Sequence, residues 1–227
     1  MGPDPRYGLK LKFPFRLLAV AGAVVHIAEG VLSGPVLIGG AAVAAGGIAA
    51  GLRTLEDEQI PRVAVLSSAL FVASLIHVPI GPASVHLVLN GLAGLLLGWA
   101  VFPAMAIALL LQAVLFGFGG LTTLGVNTAT MALPGVVCYY LFCRGIRTLG
   151  TPWAAVMGFG AGSLAILLSS ALLGVALITT GKAFWTVFSV VAVRHVPVLV
   201  IEELITAFIV LFLRRVRPEI LSPYPEA

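Results

Sequence analysis

"WAAVMGFGAGSLAILLSSALLGVALIT", residues 153–179, carries no ionisable side chain. The hydrocarbon core of a bilayer is about 30 Å thick, and a helix rising ~1.5 Å per residue needs roughly 20 residues to cross it. This stretch is longer than that, and a helix satisfies its own backbone hydrogen bonds where no water is available. The rest of the 227-residue chain is alike: 60% hydrophobic, 10% charged, with a mean hydropathy of +1.12. Soluble domains carry about 25% charged residues. Apolar segments recur at 14–31, 33–52, 62–80, 84–101, 103–117, 128–146, 153–179 and 196–213. No strand-length alternation repeats, which argues against a β-barrel. The sequence therefore predicts an all-α, polytopic membrane bundle of about seven transmembrane helices plus an N-terminal signal-like segment.

Orientation follows from the basic residues, because cytoplasmic loops hold the excess of Lys and Arg. With a cytoplasmic N-terminus, eleven of the thirteen basic residues fall inside, and Lys182 and Arg194 alone fall outside. The C-terminus is then cytoplasmic. The apolar piece 184–193 is interrupted by Arg194, His195 and Pro197, which assigns it to the outer interface and puts Pro197 at the start of the last helix. "KLKFPFR" (10–16) followed by "LLAVAGA" (17–23) has the basic, apolar and small-residue order of a signal peptide. An uncleaved first helix is the alternative. The domains are accordingly a 1–24 extension, a single 25–217 transmembrane helical domain and a 218–227 cytoplasmic tail. In "GGAAVAAGGIAAG" (39–51), Ala41, Ala45 and Ala49 repeat every fourth residue, a spacing that lets helices approach within the chain or against a partner helix. Cys138 and Cys143 give no disulfide framework. The net charge of +4 is scattered over segment ends, so membrane lipid and not nucleic acid is the surrounding partner.

Ionisable groups at a helix centre cost about 2.5–3.5 kcal/mol and mark sites or pathways. His26, His77, His86 and His195 all fall on the outer half of this topology, as do Glu29, Asn90, Asn127 and Glu202. His86 and Asn90 are spaced as an i, i+4 pair on one helix face, and His195, Glu202 and Thr206 share another. Singly, such histidines are satisfied polar tips. Together they suit a metal-ion path, since neutral imidazole ligates transition metals and carboxylates orient it. "HIAE" does not continue into an H-E-x-x-H helix, "GPASVH" lacks the second glycine of a G-x-S-x-G elbow, and there is no P-loop. An intramembrane hydrolase and a membrane scaffold are the competing classes.

Four blocks together resemble the CbiM/NikM-type metal-binding membrane subunits of cobalt and nickel energy-coupling-factor (ECF) ABC transporters. They are "HIAEGVLSGP" (26–35), "HVPIGPASVHL" (77–87), "FGFGGLTTLGVN" (116–127) with its continuation to Pro134, and "VIEELITAFIVLFLRRVRPEIL" (200–221). The resemblance covers 26–221 in order. It implies a transport subunit that is not an enzyme and has no permanently bound cofactor, with Co²⁺ or Ni²⁺ as transported substrate and cobalt preferred. It also implies a bacterial or archaeal inner membrane and a metal site on the outer side. The partners it implies are a transmembrane coupling subunit, ATPase subunits and a small accessory membrane subunit. In that family the mature chain starts Met-His, and the metal is held by the terminal amine, the backbone nitrogen and imidazole of that His, and a His from a second loop. Carried over, the ligands are His26 and His86. Glu29 and Glu202 match acidic positions supporting the site. Asn90 is a further supporting candidate, as is His77, which stands where the nickel branch often has Asn. Four nitrogen donors in a plane suit Ni²⁺ and accept Cu²⁺, so donor type alone does not select cobalt.

This chain departs from that pattern upstream, where Val25 stands in place of the initiator Met behind 24 further residues. Val25 offers a terminal amine only if the chain is cut before it. Cleavage after Val24 leaves Val-His, with room for His86. Cleavage after Ala23, which better fits the small-residue rule, leaves Val-Val-His, whose own four nitrogens make His86 redundant. Without cleavage, His26 and His86 act with His77 or Asn90. N-terminal sequencing of the membrane-purified protein separates the cases: a first residue of Val25 or Val24 identifies the cut, and Met1 or Gly2 excludes both.

Overall fold

The computed structural model describes residues 27–80, 83–180 and 184–221, with side chains described outside 77–86 and 184–198. The proposed signal-like segment lies outside the described residues. The elements are α1 (Gly34–Arg53), α2 (Ile60–Ser74), strands β1 (His77–Ile80) and β2 (Ala83–His86), α3 (Asn90–Leu97), α4 (Val101–Phe116), α5 (Leu124–Thr148), α6 (Thr151–Thr179) and α7 (Phe184–Val216). Short 3₁₀ turns at Asp57–Gln59, Gly98–Ala100 and Pro218–Leu221 complete them. Among the described residues the architecture is helical apart from one two-stranded antiparallel hairpin. Among the described residues, four runs are long and apolar enough to cross a bilayer: Gly34–Arg53, Asn90–Phe116, Leu124–Thr148 and Thr151–Thr179.

The run Asn90–Phe116 is not straight. Leu87 and Val88 border the same small cavity as Met105, Leu109 and Gln112. In a continuous helix, Val88 and Gln112 would stand roughly 36 Å apart. The chain reverses at Gly98, whose backbone (φ 53°, ψ −126°) falls where only glycine sits without strain. α3 and α4 thus lie antiparallel, as the separate segments 84–101 and 103–117 require. α3 is much shorter than the first of these, because residues 83–86 pair as a strand.

Two other expectations change, and the small-residue repeat is sharpened. The segment 62–80 stops being helical at Ser74, and His77 begins the hairpin. α7 passes through Pro197 without starting there, so 184–193 belongs to the same helix and not to a separate interfacial piece. Proline removes one helical N–H but leaves φ in the helical range, so a long helix tolerates it at the cost of that bond. On α1 the alanines 41, 45 and 49 are exposed, and the buried stripe is Ala44, Gly47 and Gly51.

That stripe shows how the helices come so close. A Cβ on Gly47 would strike the Phe102 ring, and one on Gly51 the backbone of Trp99. Between α3 and α5, a Cβ on Gly94 would run into the backbone of Gly135. The core of Leu95, Val101, Phe102, Ala132 and Ile146 closes around these contacts. Cys138 and Cys143 are free and buried in it, and their thiols meet the carbonyls of Ala161 (3.2 Å) and Leu221 (3.3 Å). At the end of the bundle away from the hairpin, the Arg62 guanidinium donates to the carbonyls of Leu96 and Ile220, tying α2, α3 and the last turn together.

Gly94→Ala should lower the unfolding free energy in detergent by about 1–3 kcal/mol, the usual cost of overpacking, because backbone and not a flexible tip must move. Gly46→Ala, where a Cβ meets nothing within 4 Å, should instead gain up to about 1 kcal/mol from helix propensity. Thermal unfolding of the two variants checks both.

Candidate functional site

Residues 27–33 form a turn, not the end of a helix, and five hydrogen bonds through the side chains of Asn127, Glu29, Thr122 and Thr180 fasten it. The Asn127 carboxamide takes the Ile27 N–H on Oδ1 (2.9 Å) and returns Nδ2–H to the Ile27 carbonyl (3.1 Å). Its other N–H donates to Thr123 Oγ1 (3.3 Å). The Glu29 carboxylate accepts the Thr122 N–H and hydroxyl, each at 3.0 Å. Ser33 N–H donates to Thr180 Oγ1 at 3.3 Å. Ile27 and Leu32 pack with Val126, Ala176 and Leu177 beneath these bonds.

The glycine-rich block makes the receiving surface. Gly117 ends α4 in the left-handed region, and a Cβ on Gly120 would occupy the space of the Glu29 side chain. "IAEG" (27–30) and "FGFGGLTTLGVN" are therefore two halves of one contact.

The histidine-bearing loop is a hairpin in which His77 pairs with His86, so the two are cross-strand neighbours at its open end. His86 and Asn90 consequently do not share a helix face: one ends β2 and the other begins α3. Between them, Glu202, 2% exposed, accepts the N–H groups of Val88 and, at 3.2 Å, Leu89. Leu89 has φ +52°, a conformation that costs a non-glycine residue about 1–3 kcal/mol and persists only where its surroundings hold it. The carboxylate across two successive N–H groups does so.

Asn90 is 1% exposed and fully engaged: Nδ2 reaches the Met131 carbonyl (3.3 Å) and Ser169 Oγ (2.8 Å), while Oδ1 accepts the Gly91 N–H (3.0 Å). Its carboxamide fastens α3 to α5 and α6. Asn127 and Met131 are one turn apart on α5, about 6 Å along its axis. The residue after His26 and the helix following His86 thus dock on consecutive turns of one helix. His26 and Val25 lie outside the described residues, and only the backbones of His77 and His86 are described. Among the described residues, no three His, Cys, Asp or Glu side chains gather as a metal cluster. What is described is the frame that brings the expected ligand-bearing segments to one end of the bundle.

Sequence inspection passed over the pairing role of Asn127, the Thr122 partner of Glu29 and the buried Glu203, which accepts from Ser163 Oγ. An asparagine at the start of a helix after a glycine-rich loop was the available signal for the first. Nothing local marks the other two.

A family described as the cobalt uptake substrate-specific transmembrane region matches residues 26–220. The chain belongs to that family. A putative metal transport protein of Haemophilus influenzae is 43% identical over 200 residues, spanning 87% of this chain and 97% of that protein. A cobalt transport protein CbiM of Geobacter sulfurreducens is 31% identical, spanning 91% of this chain and 64% of that protein. A fused nickel transport protein NikMN of Rhodobacter capsulatus is also 31% identical, and this chain covers 55% of it. The crystal structure of a truncated transition metal transporter shares the fold, with a TM-score of 0.61 at 23% identity over 84% of this chain and 96% of that one. The match of the cobalt uptake family begins at His26, the residue before the Asn127 clamp, and the protein is a multi-pass membrane protein of that family.

The Thr122 backbone N–H, followed by its hydroxyl, holds the Glu29 carboxyl below the usual carboxylate range. A depressed value means that this contact contributes fully above the unfolded pKa of roughly 4.3 and is lost as pH falls through the folded one. The hydrogen-exchange protection factor of the Thr122 amide should therefore be level near neutrality and fall on acidification. In Glu29→Gln it should be lower at neutral pH and insensitive over the same acidic range.

Proposed function

We propose that this chain is the substrate-capturing membrane subunit of an ECF ABC-type importer for a divalent transition metal, Co²⁺ ahead of Ni²⁺. The observation that carries this is the docking of two histidine-adjacent segments on consecutive turns of α5: Ile27 on Asn127, and Asn90 on the Met131 carbonyl. His26 and His86 are the metal ligands, joined by Val25 if the chain is cut before it. His77, Asn90, Glu29 and Glu202 support them. The family description favours cobalt, and the relatives named for cobalt and for nickel both fit the metal class.

The metal is captured from outside, on the side opposite most of the arginines, and the C-terminus is cytoplasmic. The chain is not itself an enzyme. Partner ATPases hydrolyse ATP, a transmembrane coupling subunit transmits the work, and a small accessory membrane subunit completes the complex. The site is exposed alternately to the two sides.

In cells expressing the chain with its partner subunits, His26→Ala or His86→Ala should abolish Co²⁺ accumulation while membrane insertion and yield stay normal. Uptake unchanged by both substitutions ends the ligand assignment. Equilibrium dialysis of the purified protein should show micromolar or tighter Co²⁺ or Ni²⁺ binding, which a scaffold would lack.

A further inference from the structure

We infer that Asn127 is a positioning residue for the metal: by holding both backbone groups of Ile27 it fixes the placement of the preceding His26 and bars the Ile27 amide nitrogen from the ligand set. This rests on the proposed metal-capture role. Asn127 is 3% exposed, and every hydrogen-bonding group of its carboxamide is used. Its Oδ1 accepts one bond, and its two N–H groups go to the Ile27 carbonyl and to Thr123 Oγ1. Thr123 is itself fully buried and donates to the Gly120 carbonyl at 3.2 Å, so the clamp is continuous with the glycine loop. The carboxamide thus pairs with Ile27 as a neighbouring strand would, holding at one atom each of the two peptide groups that flank the Ile27 Cα.

Two chemical consequences follow. A backbone nitrogen binds a metal ion only after losing its proton, and the 2.9 Å bond to Asn127 Oδ1 stabilises the protonated Ile27 amide. Ile27 therefore supplies no amide donor to the metal. Fixing Ile27 also limits the freedom of the adjoining His26, so less ordering remains for the metal to impose. Groups that orient a ligand in this way typically matter 10–100-fold in affinity.

The test is titration of the purified full chain with Co²⁺ alone and Ni²⁺ alone, read by equilibrium dialysis and by the ligand-field absorption of the bound ion. Asn127→Ala should weaken both affinities about 10–100-fold and shift the absorption bands, since a freed segment presents its donors differently. Asn127→Asp keeps an acceptor for the Ile27 N–H but loses both donors, and should recover part of the affinity. Gly47→Ala, which crowds Phe102 far from this clamp, should lower thermal stability yet leave affinity and spectrum of the folded protein unchanged. Wild-type affinity and spectrum in Asn127→Ala, or an equal loss in Gly47→Ala, would overturn the positioning role and leave the metal-capture proposal standing. Failure of the wild-type chain to bind either metal would overturn both.

Discussion

Backbone that leaves the helical state inside a helical membrane bundle must find partners for its N–H groups, because lipid supplies none. Three side chains meet that demand at the hairpin end of this protein. Asn127 takes the Ile27 N–H, Glu29 the Thr122 N–H, and Glu202 the N–H groups of Val88 and Leu89. Each joins elements far apart in sequence, so the irregular segments are held by the regular ones. The turn 27–33, the glycine loop 117–123 and the strand-to-helix junction at 87–90 can exist where they do because those acceptors are present.

Much of the fold was legible because the bilayer imposes a length that the sequence must match. α1, α5 and α6 follow the apolar runs closely, and the reversal at Gly98 falls inside the segment 84–101, three residues before its expected end. The hairpin was not legible. "HVPIGPASVHL" carries no Asp, Glu, Lys or Arg, and hydropathy does not distinguish a short strand pair from a helix end, although Pro79, Gly81 and Pro82 are strong helix breakers. Pro197 misled in the opposite direction, since a proline that can start a helix can also sit within one whose neighbouring turns are secure.

For the candidate site, residue types were legible and their pairings were not. Glu29, Asn90, Asn127 and Glu202 stand out as polar groups in apolar surroundings. Which of them faces metal and which holds backbone depends on contacts across up to 114 residues of sequence, as between Val88 and Glu202. The four described here all act on backbone or neighbouring hydroxyls. Small residues offer a comparable lesson: the buried stripe of α1 is its glycine-bearing face, while of the alanine repeat Ala41 meets Gly125 of α5 and Ala45 and Ala49 stay exposed. On the glycine-bearing face the absence of a Cβ, and not merely its small neighbourhood, sets the helix separation.

α7 has a further mechanical meaning. Glu202 grips the junction after the hairpin, and the turn following the helix is held through Ile220 by Arg62. From Glu202 to Val216 is about 21 Å of unbroken helix. A displacement of that rod is felt at both fastenings, so the junction beside His86 and the Arg62 knot form the two ends of one strut. Motion imposed at either end has a stiff route to the other.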